Sequence, residues 1–251
     1  MIVYLVRHGE TEWNHQNRFQ GREDIPLNEN GIKQAQRIAD SFFNGKKVSY
    51  IATSPLMRAR ETAEVIAQRT GCGNLRVDDR LIERDLGAMS GLNNEERHKL
   101  REKGPIENME PLKDVMERMY QALCEFSENP DIKNKLELPE LAGNNDTTSD
   151  SAKSAKQDTV SSAIRDTMKF GGKYVTPQEE IHFDEIPLTS EEEAGPCAVI
   201  VSHGAAINAL LSVLSKGEIG SGRTLLRNVC ISTVKEFDDG FRICNYDFVE
   251  Y

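Results

Sequence analysis

Long hydrophobic runs are missing from this 251-residue sequence; nowhere do apolar residues reach the roughly 18 to 20 that span a bilayer, so no transmembrane helix is expected. The first residues form no basic leader with a cleavage site, which makes a cytoplasmic location the expectation. Positive charge is short as well. Lysine and arginine number 31 against 41 aspartates and glutamates, giving a formal net charge of −10, and this argues against nucleic acid as a partner because phosphate-backbone binding needs a basic surface. The five cysteines (Cys72, Cys124, Cys197, Cys230, Cys244) are odd in number and scattered, with no CxxC or CxxH spacing. That excludes a disulfide frame or a zinc site as the reading and favours reduced thiols. Aromatic residues make up only 6%, yet 38% hydrophobic content over this length suffices for a sizeable core.

What is present starts at the second residue. Ile2-Val3-Tyr4-Leu5-Val6 is a continuous apolar run, the pattern of a parallel strand buried on both faces, and Arg7-His8-Gly9 follows at once. The design returns far downstream, where residues 197–201 form a second apolar run before Ser202-His203-Gly204. Ligands of open α/β sheets bind outside the carboxyl ends of the strands, so both histidines are expected at one site.

Between these points the sequence alternates strand and helix signals. Residues 9–29 look too irregular for either and are expected to loop over the sheet edge. Ile32, Ala35, Ile38, Ala39, Phe42 and Phe43 have the spacing of a helix stripe packed on a sheet. Residues 48–53 form a strand candidate, and Ser54-Pro55 has the form of a helix N-cap with a first-turn proline, which places Arg58 near the strand's end. Extended pieces at 75–77 and 81–82 put Glu83 after a strand and before a glycine-rich turn. Helices are expected over 93–103 and from Pro111 to about Pro130. Residues 205–214 form the most apolar helix, and a hairpin turning at Asp238-Asp239-Gly240 ends the order. The GEIGSG run at 217–222 lacks the strand and the Lys-Ser/Thr of a phosphate loop and is expected as a turn. His15, His98 and His182 have no neighbour at ligand spacing and are expected at the surface, while Glu10 either helps position the site or bonds backbone.

Residues 128–194 differ in kind. They carry fifteen acidic and seven basic side chains, most of the chain's negative balance. Their middle, 143–162, is almost devoid of apolar residues, so this acidic insertion is expected to be partly disordered.

Two histidines without a metal cluster suggest one as a nucleophile, because a neutral imidazole can take a phosphoryl group on nitrogen. Arg7 and Arg58 would present guanidinium forks to phosphate oxygens, and their charge disfavours imidazolium. Glu83 is the candidate for protonating the leaving alkoxide and then activating water.

Four blocks, LVRHGETEWN (5–14), TSPLMRARETA (53–63), LIERDLGAMSG (81–91) and VSHGAAI (201–207), resemble in content and order those of the histidine phosphatase superfamily, the phosphoglycerate mutase-like fold. The resemblance covers roughly residues 1–126 and 196–251 and stops over 128–194. It implies one α/β domain over 1–251, a three-layer sandwich whose mostly parallel sheet is flanked by helices. It also implies His8 as the phosphorylated nucleophile, Arg7, Arg58 and His203 as the phosphate pocket, and Glu83 as proton donor. Asn14, Gln20 and Gly21 would add phosphate or substrate contacts, and neither metal nor cofactor is implied. RFQGREDIPL (18–27) resembles the phosphatase branch, whereas mutases of this family usually have Gly-Trp where Gly21-Arg22 stands here. The basic and aromatic carboxylate-binding residues of mutases are not apparent among 93–104, and residues 106–110 replace the Gly-Glu-Ser step of many such phosphatases. The expectation is hydrolysis of a phosphomonoester, either a small metabolite or a phosphoprotein. The alternatives are a phosphoglycerate mutase or a low-turnover regulatory protein on the same fold.

Deleting residues 143–162 is expected to leave folding intact, with a melting temperature unchanged within about 3 °C; a large drop would show that the insertion carries structure.

Overall fold

A strand that is apolar at consecutive positions needs a hydrophobic layer on each side, and β1 (Ile2–Arg7) has both. The computed structural model describes residues 1–128 and 186–249. After β1 come α1 (Glu12–His15), α2 (Glu29–Asp40), β2 (Lys47–Thr53), α3 (Met57–Thr70), β3 (Leu75–Val77), α4 (Asn94–Glu102) and α5 (Leu112–Glu128). Beyond the undescribed stretch lie α6 (Ser190–Ala194), β4 (Pro196–Ser202), α7 (Gly204–Leu214), β5 (Ile231–Phe237) and β6 (Gly240–Phe248). Short 3-10 turns occupy Asp79–Leu81 and Gly87–Met89.

The strands form one six-stranded sheet in the order β3-β2-β4-β1-β5-β6. All pairs from β3 to β1 are parallel, while β5 is antiparallel to both its neighbours. Side-chain alternation sorts the core into two layers. Val3, Leu5, Ala198 and Ile200 face α5 and α7, against Met119, Leu123, Ile207 and Leu210. Tyr4, Val6, Val199 and Val201 face α2 and α3, against Ile38, Ala63 and Ile66. This is the expected three-layer α/β sandwich. The hairpin and the turn at 217–222 also form as expected.

Strand register builds the site. Arg7 pairs with Ser202 across β1 and β4, so the next residues on the two strands are His8 and His203. Thr53 pairs with Val201 across β2 and β4, and the chain then continues into Ser54. Three adjacent parallel strands thus deliver His8, His203 and Ser54 to one edge.

Several local expectations need correction. Residues 9–29 are not wholly irregular: Thr11 and Asn14 form a reciprocal capping box that starts α1. Ile32 is 42% exposed and lies outside the packed stripe, because α2 turns Gly31, Ala35, Ile38 and Ala39 inward. Ser54 does not cap α3, which begins at Met57 without a side-chain cap of its own; Asp24 instead accepts from the Met57 N–H at 2.6 Å. Glu83 follows the 3-10 turn Asp79–Leu81 and not a strand, since the pairing partner of β2 ends at Val77. Of the acidic insertion, residues 129–185, including His182, lie outside the described residues; its end folds as α6, capped by Thr189.

Two glycines let the loop after β1 lie on the first turn of α2. A Cβ on Gly31 would meet the Glu10 carbonyl oxygen at 2.0 Å, and one on Gly9 would meet the Gly31 oxygen at 2.5 Å. Neither atom belongs to a side chain that can move aside. Gly31→Ala should therefore lower stability by about 1–3 kcal/mol, measured by urea denaturation, because the added Cβ pushes against the backbone of the loop that follows His8.

Candidate active site

His8 is buried, with its Nδ1 at 2.7 Å from the Gly9 carbonyl oxygen. A carbonyl only accepts, so Nδ1 carries the proton and the lone pair is left on Nε2. Burial and the nearby Arg58 and Arg7 guanidinium groups hold the imidazole pKa well below its usual value. His203 lies with its ring centroid 5.2 Å from that of His8. It is fully buried, and its pKa is likewise lowered by burial and then by Arg58. His203 Nε2 is 2.7 Å from Ser54 Oγ, while Nδ1 is buried with no partner. The arrangement in which Ser54 donates to Nε2 leaves an Nδ1–H without an acceptor.

Arg58 stands in the first turn of α3 with no exposed surface. Its guanidinium donates to the carbonyls of Glu23 at 2.6 Å and Gly21 at 2.9 Å, and burial lowers its pKa to about 10. Arg7 donates to the Leu226 carbonyl and is likewise pushed down by burial. The Nε atoms of both arginines are buried without a hydrogen-bond partner. Buried polar groups are nearly always satisfied, so two unpaired guanidinium donors and the unpaired His203 Nδ1 are groups that an anion could satisfy.

The polar loop residues share this logic. Thr11 Oγ1 donates to Gln20 Oε1 at 2.9 Å, and Asn14 Oδ1 accepts from the Thr11 N–H at 3.2 Å. With their oxygens engaged, both amides have their NH2 groups left over, and both residues line a cavity of about 730 Å³ that also contains Arg7, His8, Arg58 and Glu83. Gly21 has φ of +52°, and a Cβ there would meet Ser90 Oγ at 2.8 Å. Its role is to turn the loop so that its carbonyl meets Arg58.

Glu83 is the remaining carboxylate of this group. Its oxygens accept from the backbone N–H groups of Arg84 at 2.7 Å, Ala206 at 3.0 Å and Ala205 at 3.1 Å, the last two being the amino-terminal amides of α7. Arg118 secures the segment that carries it. It donates to the carbonyls of Arg80 and Ile82 at 2.6 Å and forks onto Glu110. Glu10 turns away to Asn28, a structural bond, and His15 and His98 are exposed.

All eight residues singled out from the sequence therefore gather at one edge of the sheet. The model of the histidine phosphatase superfamily (branch 1) matches residues 3–136, more than half of the chain. The chain belongs to this superfamily. The uncharacterized phosphatase PhoE of Bacillus subtilis (strain 168) is 29% identical to this superfamily member over 245 residues, 98% of this chain and 93% of that protein. The probable phosphoglycerate mutase GpmB of Cronobacter sakazakii is 41% identical over 132 residues, which span 48% of this chain and only 60% of that relative. Among solved structures, a mycobacterial glucosyl-3-phosphoglycerate phosphatase in complex with VO3 superposes with a TM-score of 0.65, at 22% identity and 98% coverage of both chains.

Sequence reasoning missed Ser54 as a partner of His203, Thr11 as a partner of both amides, Arg118 with Glu110 behind Glu83, and Asn228 as a second donor to Asn14. Only Thr11 left a local signal, the Thr-x-x-Asn box. The bonds that tie the others to the site span 25 residues or more, beyond any spacing rule.

The two buried neutral histidines link stability to pH. An unfolded chain takes up protons on them below about pH 6.5, whereas the folded protein does so only at lower pH, so stability falls as pH drops through that value. Each should contribute a loss of about 1 kcal/mol between pH 6.5 and 5.5. Urea midpoints for wild type and His203→Gln over this range check it; the variant should show the shallower fall.

Proposed function

We propose that this protein is a metal-independent phosphatase that hydrolyses a phosphomonoester through a phosphohistidine at His8. The observation that carries the reading is the His8 Nδ1 bond to Gly9, which leaves Nε2 as a lone pair beside two buried guanidinium groups with unpaired donors. His8 Nε2 attacks phosphorus, and the ester P–O bond breaks as a protonated Glu83 gives its proton to the departing oxygen. The Glu83 carboxylate then takes a proton from water, whose oxygen attacks phosphorus while the P–N electron pair returns to His8. Arg7, Arg58, His203, Asn14 and Gln20 hold the phosphoryl oxygens, and Gly21 keeps Arg58 aimed.

Hydrolysis is favoured over mutase chemistry by Arg22, which follows Gly21 where mutases usually have Trp. Its Nε–H donates to the Glu83 carbonyl at 3.3 Å and its guanidinium pairs with Glu110 Oε2 at 3.2 Å, contacts that a substrate carboxylate would have to displace. We take the substrate to be a small phosphorylated metabolite or a phosphoprotein, the protein to be a single domain, and its five free cysteines to fit the cytoplasm.

The test is p-nitrophenyl phosphate hydrolysis with EDTA present. His8→Ala should lose about 10³-fold or more in kcat/KM, and wild type quenched during turnover should carry acid-labile phosphate that the variant lacks. Equal rates in the two proteins would overturn the assignment, and transfer between phosphoglycerates faster than hydrolysis would favour the mutase.

A further inference from the structure

The segment that returns from α7 to β5 wraps the nucleophile loop closely. The Cys230 carbonyl accepts from the Arg7 N–H at 3.1 Å, and the Val229 N–H donates to the His8 carbonyl at 3.3 Å. The Leu226 carbonyl accepts from the Arg7 guanidinium. Val229 has φ of +52°, a conformation costly for a β-branched residue. It is held there because its side chain is buried in the α2–α3 layer with Val6 and Ile231. This strained turn places Asn228 under the nucleophile. Asn228 Nδ2 donates to the His8 carbonyl at 3.1 Å and to Asn14 Oδ1 at 3.3 Å.

The hydrogen-bond count at Asn14 gives this contact its meaning. The Thr11 hydroxyl has one proton, and its shorter contact is to Gln20 at 2.9 Å, against 3.2 Å to Asn14. Asn14 Oδ1 then receives two donors, the Thr11 N–H and Asn228 Nδ2, which fill its two lone pairs. An amide whose oxygen is saturated on the protein side must turn its NH2 to the cavity. We propose that Asn228 is a positioning residue: it fixes the orientation of the Asn14 amide so that Nδ2 donates to the bound phosphoryl group, and it ties that amide to the backbone of the nucleophile. Without Asn228 only the long Thr11 N–H bond, at 3.2 Å, resists a flip that would present the Asn14 oxygen to an anion. The inference rests on the phosphate site proposed above, and Asn228 itself need not touch substrate.

The experiment is a double-mutant cycle of Asn14→Ala and Asn228→Ala. It reads kcat and KM for p-nitrophenyl phosphate and, separately, the binding constant of inorganic phosphate by calorimetry. Asn228→Ala should weaken phosphate binding about 10-fold and raise KM more than it lowers kcat, as should Asn14→Ala. The double variant should bind within about 2-fold of Asn14→Ala alone, because the action of Asn228 passes through Asn14. Additive losses, or unchanged phosphate binding in Asn228→Ala, would overturn the proposal. If Asn228→Ala melts early, Asn228→Ser keeps a polar residue on the cavity wall with a hydroxyl too short to reach both acceptors, and the same cycle is run with it. Should wild type bind phosphate but hydrolyse no ester, the enzyme reading falls, and the phosphate constants still decide for or against Asn228.

Discussion

Register between β1, β4 and β2 is the constraint on which the rest depends. Each residue of slip moves a side chain by about 3.3 Å along a strand and turns it to the opposite face. Hydrogen bonds tolerate a few tenths of an ångström. The 2.7 Å contact between His203 and Ser54, and the 3.1 Å bond from the His8 N–H to the Ser202 carbonyl, exist only in the observed alignment. What holds that alignment is packing on both sides. Ala198 and Ile200 meet α5 and α7, while Val199 and Val201 meet α2 and α3, and exchanging these sets would leave voids in one layer and crowding in the other.

Upon that frame the chain assembles an unbalanced electrostatic site. Arg58 has no exposed surface, and it donates to the carbonyls of Glu23 and Gly21, which carry no charge. Such burial is unfavourable to the fold by itself. Its consequence is a set of donors already stripped of water and fixed in direction, which need not reorganise when an anion arrives. Burial first, and then the same field, keep His8 neutral. Glu83 is kept at the rim of this field by the amino-terminal amides of α7, close enough to act and tied down on its far side by Arg118.

Much of this was legible from residue order alone, for identifiable reasons. The apolar runs at β1 and β4 are continuous because both faces are buried, and α7 is apolar on most sides because eight of its residues are enclosed. Arg7, His8 and His203 follow those runs directly, so strand ends located them. Glu83 was placed correctly at the site but for a local reason that fails, since it is held through Ser202 and Arg118 and not by a strand of its own. Ser54 looked like a cap because Ser-Pro commonly begins helices; tertiary demand for a partner to His203 takes precedence. Ile32 kept the helical period yet faces solvent, because the first turn of α2 is given to Gly31 and its close approach to Glu10. Asn228 lies 220 residues from His8, and no periodicity spans such a distance.

The central place of β4 has a further consequence, in time. The strand that leads into His8 is synthesised before the other five, and the strand that lies between it and β2 is specified almost two hundred residues later. Until residues 196–202 arrive, β1 and β2 each expose an unpaired edge toward the gap that β4 will fill. Contacts of such long range are slow to form, because loop closure precedes any gain from pairing. Insertion of this strand joins β1 to β2, covers the two edges that face each other and brings His203 beside His8, while the other edge of β1 waits for β5. The event that joins the two parts of the parallel sheet is thus also the event that assembles the proposed phosphate site, so a chain caught short of it lacks the second histidine as well as its middle strand.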